Sequence, residues 1–138
     1  MTKPILYKAF SSSRFSDLDP YGHVNFKHYF DFVVESRLSF LDSHFGLSLA
    51  KLAKKGIGFY ATRGEINFLR PILGITKLDI ETYVESILND VTLVVPFVIK
   101  DVDSRRRYSD GKLFFTVIDI ATGKPSPPND ETRKLFFE

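Results

Sequence analysis

The amino-acid sequence predicts an α+β fold in which one antiparallel, five-stranded sheet wraps a single long central helix. Three observations predict it. A helical pattern running from Asn25 to about Phe45 is apolar over most of its circumference, so other structure must surround it. Everything after residue 57 changes to strand-like periodicity broken by turn signals. At 138 residues, with 43% apolar and 14% aromatic side chains and 14 Phe, the chain can bury a bulky core of a single domain spanning 1–138.

The elements follow in order. Residues 5 to 16 are mixed and β-compatible, giving a first strand. Residues 17 to 24 hold Pro20 and Gly22 and read as a tight turn. In the helix that follows, His28, Asp31, Glu35, Ser39 and Asp42 share one narrow polar stripe. Phe26, Tyr29, Phe30, Val33, Val34, Phe40 and Leu41 cover most of the rest, and Gly46 is the stop. Arg37 falls on the apolar side, where either its stem reaches an edge or its charge needs an acid; a structural ion pair is expected. A short helix over 47–56 ends at Gly56. Strands are expected over 58–71, with Gly64 a bulge or close approach, and over 76–87, with Leu78, Ile80, Thr82 and Val84 on one face. After a turn at Asn89-Asp90 comes "VTLVVPFVIKDVD", where Pro96 suggests an edge or a bulge. Gly111 opens the last strand, Gly123 ends it, and Asn129 or Asp130 caps a short terminal helix. The order is strand, helix, then four strands in antiparallel succession.

Several function classes fall away. There is no Cys, hence no disulfide, Cys-zinc site or thiol nucleophile. His23 and His28 are five apart, not the spacing of a helical metal pair, and no metal or other cofactor is expected. The net charge of +2 comes from well-mixed acids and bases, which argues against a nucleic-acid partner. Arg105, Arg106 and Arg107 sit among acids before a Gly and read as a solvated hairpin end, or as a phosphate contact. No segment approaches the ~18 apolar residues of a membrane span. The first residues hold too short an apolar run for a signal peptide, so a cytoplasmic location is expected.

The chemistry concentrates in "FSDLDPYGHVNFKHYF", residues 15 to 30. Asn25 is a good N-cap, and a helix start presents unpaired N–H groups with about half a positive charge. Asp17 and Asp19 lie just upstream. A carbonyl resting its oxygen on those amides, with a carboxylate facing its carbon, would sit in an oxyanion hole beside a nucleophile or base. Capping alone explains the same residues.

The run "DLDPYGHVNFKHYFDFVVESRL" resembles the 4-hydroxybenzoyl-CoA thioesterase-like family of hotdog proteins. Asp17, Asp19, Gly22, His23, Val24, Asn25 and Tyr29 carry the motif, with Glu35 and Arg37 further along. "EINFLRPILG" and "VIDIATGKPSPP" are similar to two later stretches of that family. The resemblance implies an acyl-thioester hydrolase with a hotdog fold, assembled as a homodimer or homotetramer with sites at the subunit interface. It implies Asp19 as the catalytic carboxylate and the backbone N–H of Phe26, or a neighbour, as the donor to the thioester carbonyl. A thiolate leaves readily, so no Ser-His-Asp triad is needed. His23 is the candidate general acid, or its imidazole ties down the turn. Asn25 orients substrate or water, or caps the helix. Asp17 caps or orients the loop. Tyr29 is a candidate substrate contact.

This chain departs from the family in two places. Phe26 stands where a second Asn is frequent, and a ring there narrows or lines an acyl pocket. The "ILNDVTL" turn lacks the basic residues that grip CoA phosphates in some relatives; Arg63, Arg70 or the Arg105–Arg107 cluster are the substitutes. The partner is therefore an acyl-CoA or an acyl-carrier thioester. Two rivals remain: a non-catalytic acyl-thioester-binding protein, and an enoyl-thioester hydratase. The hydratase loop has Asn where Asp19 stands and one residue fewer before His23.

Overall fold

The computed structural model describes residues 3–138. The order along the chain is β1 (Tyr7–Ser12), two 3-10 turns (Phe15–Asp17 and Phe26–His28), α1 (Tyr29–Phe45), α2 (Leu49–Lys54), β2 (Ile57–Phe68), β3 (Lys77–Thr82), β4 (Ser86–Leu88), β5 (Thr92–Asp101), β6 (Arg107–Asp119), β7 (Lys124–Pro125) and α3 (Asp130–Arg133). The expected long helix and short second helix are present. Gly46 ends α1 in the left-handed conformation at φ 66°, donating to the carbonyl of Asp42.

One antiparallel sheet runs β1-β3-β5-β6-β2, with β4 added beside β5 and β7 beside β6. The five expected strands form this path, and the two short ones extend it. The succession differs from the expected one. β2 pairs with β6 rather than β3, and β3 pairs with β1. Residues 69 to 76 therefore cross from the β2 edge of the sheet to β3, next to the opposite edge strand β1. On the way Leu69 and Arg70 donate to the Tyr108 carbonyl, and Ile72 accepts from Val24. This crossing becomes one wall of the site described below.

The core lies between α1 and the concave sheet. Tyr29, Phe32, Val33 and Leu41 from α1 pack with Leu78, Ile80, Val84, Leu93, Val95 and Ile99. Asp31, Glu35, Ser39 and Asp42 face solvent, as the polar stripe predicts. The expected inward face of β3 is buried throughout, but the strand stops at Thr82 and resumes as β4 at Ser86.

Four local readings are corrected. Pro96 lies inside β5, a central strand. Its carbonyl accepts from the Thr82 hydroxyl at 2.8 Å and the Tyr83 N–H at 3.4 Å, so it faces the break between β3 and β4, where no ladder bond is lost. Gly111 is not a strand start but lies within β6, where a Cβ would stand 2.0 Å from the Glu65 carbonyl oxygen. Arg105 is not merely solvated: it pairs with the fully buried Asp79, which Lys8 also approaches at 3.5 Å. Arg37 is buried as allowed for, but no acid partners it among the described residues. One of its terminal nitrogens donates to Thr82 at 3.3 Å, and its guanidinium lies 4.6 Å from the centre of the Tyr7 ring.

Candidate active site

The loop from Asp17 to Asn25 is a set of nested main-chain bonds. Asn25 donates to Asp17, Asp19 donates to His23, and Gly22 donates back to Asp19 at 3.0 Å. Pro20 presets one φ, and Gly22 supplies the φ of 78° that closes the turn. The loop is clamped against the crossing segment, where Gly74 donates to Gly22 at 2.9 Å.

Asp17 is the brace beneath it. Its carboxylate is only 1% exposed and accepts from the Arg14 main-chain N–H at 2.8 Å and the Arg14 guanidinium at 3.0 Å. Burial pushes its pKa up, but the Arg14 bonds and charge, with His28 nearby, outweigh that and hold it below the usual carboxylate value. This is the loop-orienting role.

Asp19 is built differently. Its Oδ1 accepts from the Tyr21 N–H at 2.9 Å and the His23 N–H at 3.1 Å. No partner among the described residues engages its Oδ2. One oxygen aims the carboxylate while the other stays available. His23 ties the turn through its main chain, and its imidazole makes no hydrogen bond among the described residues.

Two residues on, Asn25 caps the helical start, its side chain accepting from the Lys27 N–H at 3.1 Å. That leaves the Phe26 N–H, the first of the turn, with no acceptor among the described residues. Such an amide, at the positive end of the helix, is suited to receive a carbonyl oxygen.

A cavity of about 380 Å³ adjoins these groups, lined by Asp19, His23, Val24, Phe26, Tyr29, Phe68, Leu69, Arg70 and Pro71. Tyr29 is buried at its floor, edge-on to the Phe68 ring at 5.0 Å, and burial raises its phenol pKa against the Ile72 backbone bond that lowers it. Asp19, His23, Phe26, Tyr29 and Arg70 are thus brought to one cavity, with Asn25 holding the helix beside it. Arg63 is not among the lining residues; it pairs with Glu65 at 2.6 Å on β2. Phe68, Leu69 and Pro71 were not singled out as site residues. Their signal is the "FLRP" stretch at the end of β2, which resembles the family's and from which the sequence singles out Arg70 alone.

Among the described residues no helix is long and apolar enough to cross a membrane. Comparison with solved structures finds the same architecture repeatedly. A 1,4-dihydroxy-2-naphthoyl-CoA thioesterase from Synechocystis superposes with a TM-score of 0.83 at 17% identity, covering 94% of each chain. The YbaW Probable Thioesterase from Escherichia coli gives 0.80 at 26% identity, covering 94% of this chain and 95% of its own. A thioesterase from Thermus thermophilus, complexed with coenzyme A and Zn, gives 0.74 at 21%, covering 93% and 89%. No curated protein matches the sequence. The family model of the Thioesterase-like superfamily matches residues 13–136, nearly the whole chain. The protein is a hotdog-fold member of the Thioesterase-like superfamily, and its class of chemistry is thioester hydrolysis.

Proposed function

We propose that the protein hydrolyses acyl-CoA thioesters in the cavity beside Asp19. The observation that carries this is the pairing of two unsatisfied groups on one cavity: the Oδ2 of Asp19 and the N–H of Phe26. The thioester carbonyl oxygen accepts from the Phe26 amide, which polarises its carbon. The Asp19 carboxylate then either adds to that carbon, expelling thiolate and leaving an anhydride for water to open, or orients and deprotonates the attacking water. A carboxylate is in general a weak base, which favours addition or water positioning. Thiolate departure needs little acid assistance, consistent with a His23 ring that no acid orients.

Among the described residues Arg70 is the one cation lining the cavity, and its charge suits an anionic carrier. Coenzyme A in the Thermus thermophilus relative supports CoA as the carrier. Phe26, Tyr29 and Phe68 form an aromatic lining suited to an aryl or alkyl acyl group.

A panel of short, long and aromatic acyl-CoAs, followed by thiol release, tests the reading. Release from at least one member, lost in Asp19→Asn, is the expected result. No release from any member would favour a non-catalytic binding protein.

A further inference from the structure

A second cavity, of about 290 Å³, lies further along α1 and away from Asp19. Val34, Leu38, Leu41, Leu49, Phe59 and Phe115 form much of its apolar wall, and Arg37 is its single charged group. Arg37 is 8% exposed, and no carboxylate among the described residues lies within ion-pair distance of it. Thr82 takes one N–H and the Tyr7 ring one face; the remaining guanidinium N–H groups have no protein acceptor among the described residues. None of its nitrogens is among the fully enclosed, unbonded side-chain atoms, which are Asp79 Oδ1 and Ser109 Oγ, so the free donors reach open space. Burying a charge without an opposite one is costly, and the cost falls when an anion arrives.

We infer that this cavity binds a small free carboxylic acid, its carboxylate on Arg37 and its hydrocarbon against α1 and β2. The lining selects the class. A carboxylate matches the guanidinium fork with two oxygens and leaves none over. A phosphate would turn its remaining oxygens onto Leu and Phe side chains. The volume is at the low end for small-molecule sites, about 300 to 1,000 Å³, which suits a medium-chain acid and not coenzyme A. The Arg37 pKa is pushed down to about 10 by burial, with Tyr7 opposing, so the group stays charged at neutral pH.

The two cavities share a helix stripe, since Phe26, Phe30, Val34, Arg37 and Leu41 recur at helical spacing. No lining residue is common to the two cavities. The second cavity is therefore a separate site rather than the thioester's own. A carboxylic acid is also what thioester hydrolysis releases, which makes this a product site. That last step rests on the proposed activity; the binding does not.

Calorimetry with octanoate and octanol on the wild-type protein is the test, with NMR shifts locating the ligand. Octanoate is expected to bind roughly ten- to hundredfold more tightly, the scale of a charge-assisted bond. Shifts should centre on Leu38, Leu41 and Phe136 and spare Asp19 and Phe68. Arg37→Gln should erase the preference. Ala61→Trp, which adds bulk to the cavity lining while residue 37 stays Arg, should abolish octanoate binding. Equal affinity for acid and alcohol, absence of octanoate binding, shifts centred on Asp19, or undiminished binding in Ala61→Trp would each overturn the inference. The wild-type comparison and Ala61→Trp decide it even where Arg37→Gln does not fold.

Discussion

The Asp19 carboxylate is held by the main chain of His23, whose N–H donates to Oδ1 at 3.1 Å while the His23 carbonyl accepts from the Asp19 N–H at 2.8 Å. The reciprocal pair fixes the loop at Asp19 and leaves Oδ2 without a partner among the described residues. Aspartate here both closes a turn and presents an oxygen, and the two roles can be separated by substitution.

Asp19→Asn keeps an oxygen that can accept from Tyr21 and His23, so the loop should hold its shape and the melting temperature should barely move. Asp19→Ala loses both bonds and should cost about 1 kcal/mol or more of stability. Both should lose hydrolysis by roughly 10²- to 10⁴-fold or beyond. Thiol-release kinetics with parallel thermal melts check this. Full activity in either variant removes Asp19 from the reaction.

The Phe26 amide can be deleted without deleting the helix. Phe26 is the first residue of its turn, and Asn25 before it is extended at ψ 136°, a conformation that tolerates a following proline. Phe26→Pro should fold and lose roughly 10²- to 10³-fold in kcat, the scale of one oxyanion donor. Phe26→Ala keeps the N–H and removes only the ring, so KM should change more than kcat. Equal kcat losses in the two variants would assign the effect to the ring and not the amide.

Asp17 should write itself into the acid limb of stability. Its folded-state pKa is held below the unfolded value, so its contribution is complete above about pH 4 and is lost as pH falls through the folded pKa. Asp17→Asn should be less stable than wild type by about 1–3 kcal/mol near neutrality. The gap should close below about pH 4. Urea unfolding at several pH values measures it, and a gap independent of pH would mean the charge is not what holds the loop.

The elements readable in the sequence were those whose signal is local. The α1 stripe, the Gly46 stop, the Asn89-Asp90 turn and the Asn129 cap depend on residues a few positions apart, and each is present. The loop chemistry was readable for the same reason: Asp19, Pro20, Gly22 and Asn25 act on one another. What depends on distant partners was not. Nothing near Gly111 announces the Glu65 carbonyl that forbids it a side chain. Nothing near Pro96 announces that its neighbour strand breaks opposite it. Arg37 was expected to need an acid because a buried charge usually does; the Tyr7 ring and Thr82 come from strands 30 and 45 residues away. Phe68 and Leu69 reach the site where the chain leaves the β2 edge to cross the sheet toward β3.

Assembly is the remaining expectation that the fold sharpens. β2 is a 12-residue strand at the end of the sheet path, paired on one side only, by β6. A free edge of that length invites a second strand, and a copy of the same chain is the available one. Phe68 and Leu69 sit at the end of this strand, about half exposed, and also line the candidate site. Pairing along β2 would bring a second chain close to that cavity and cover part of its apolar rim. Light scattering should therefore give two or four times the 15.8 kDa of one chain. Specific activity should fall on dilution in step with dissociation. A monomer with undiminished activity would show that one chain builds the whole site.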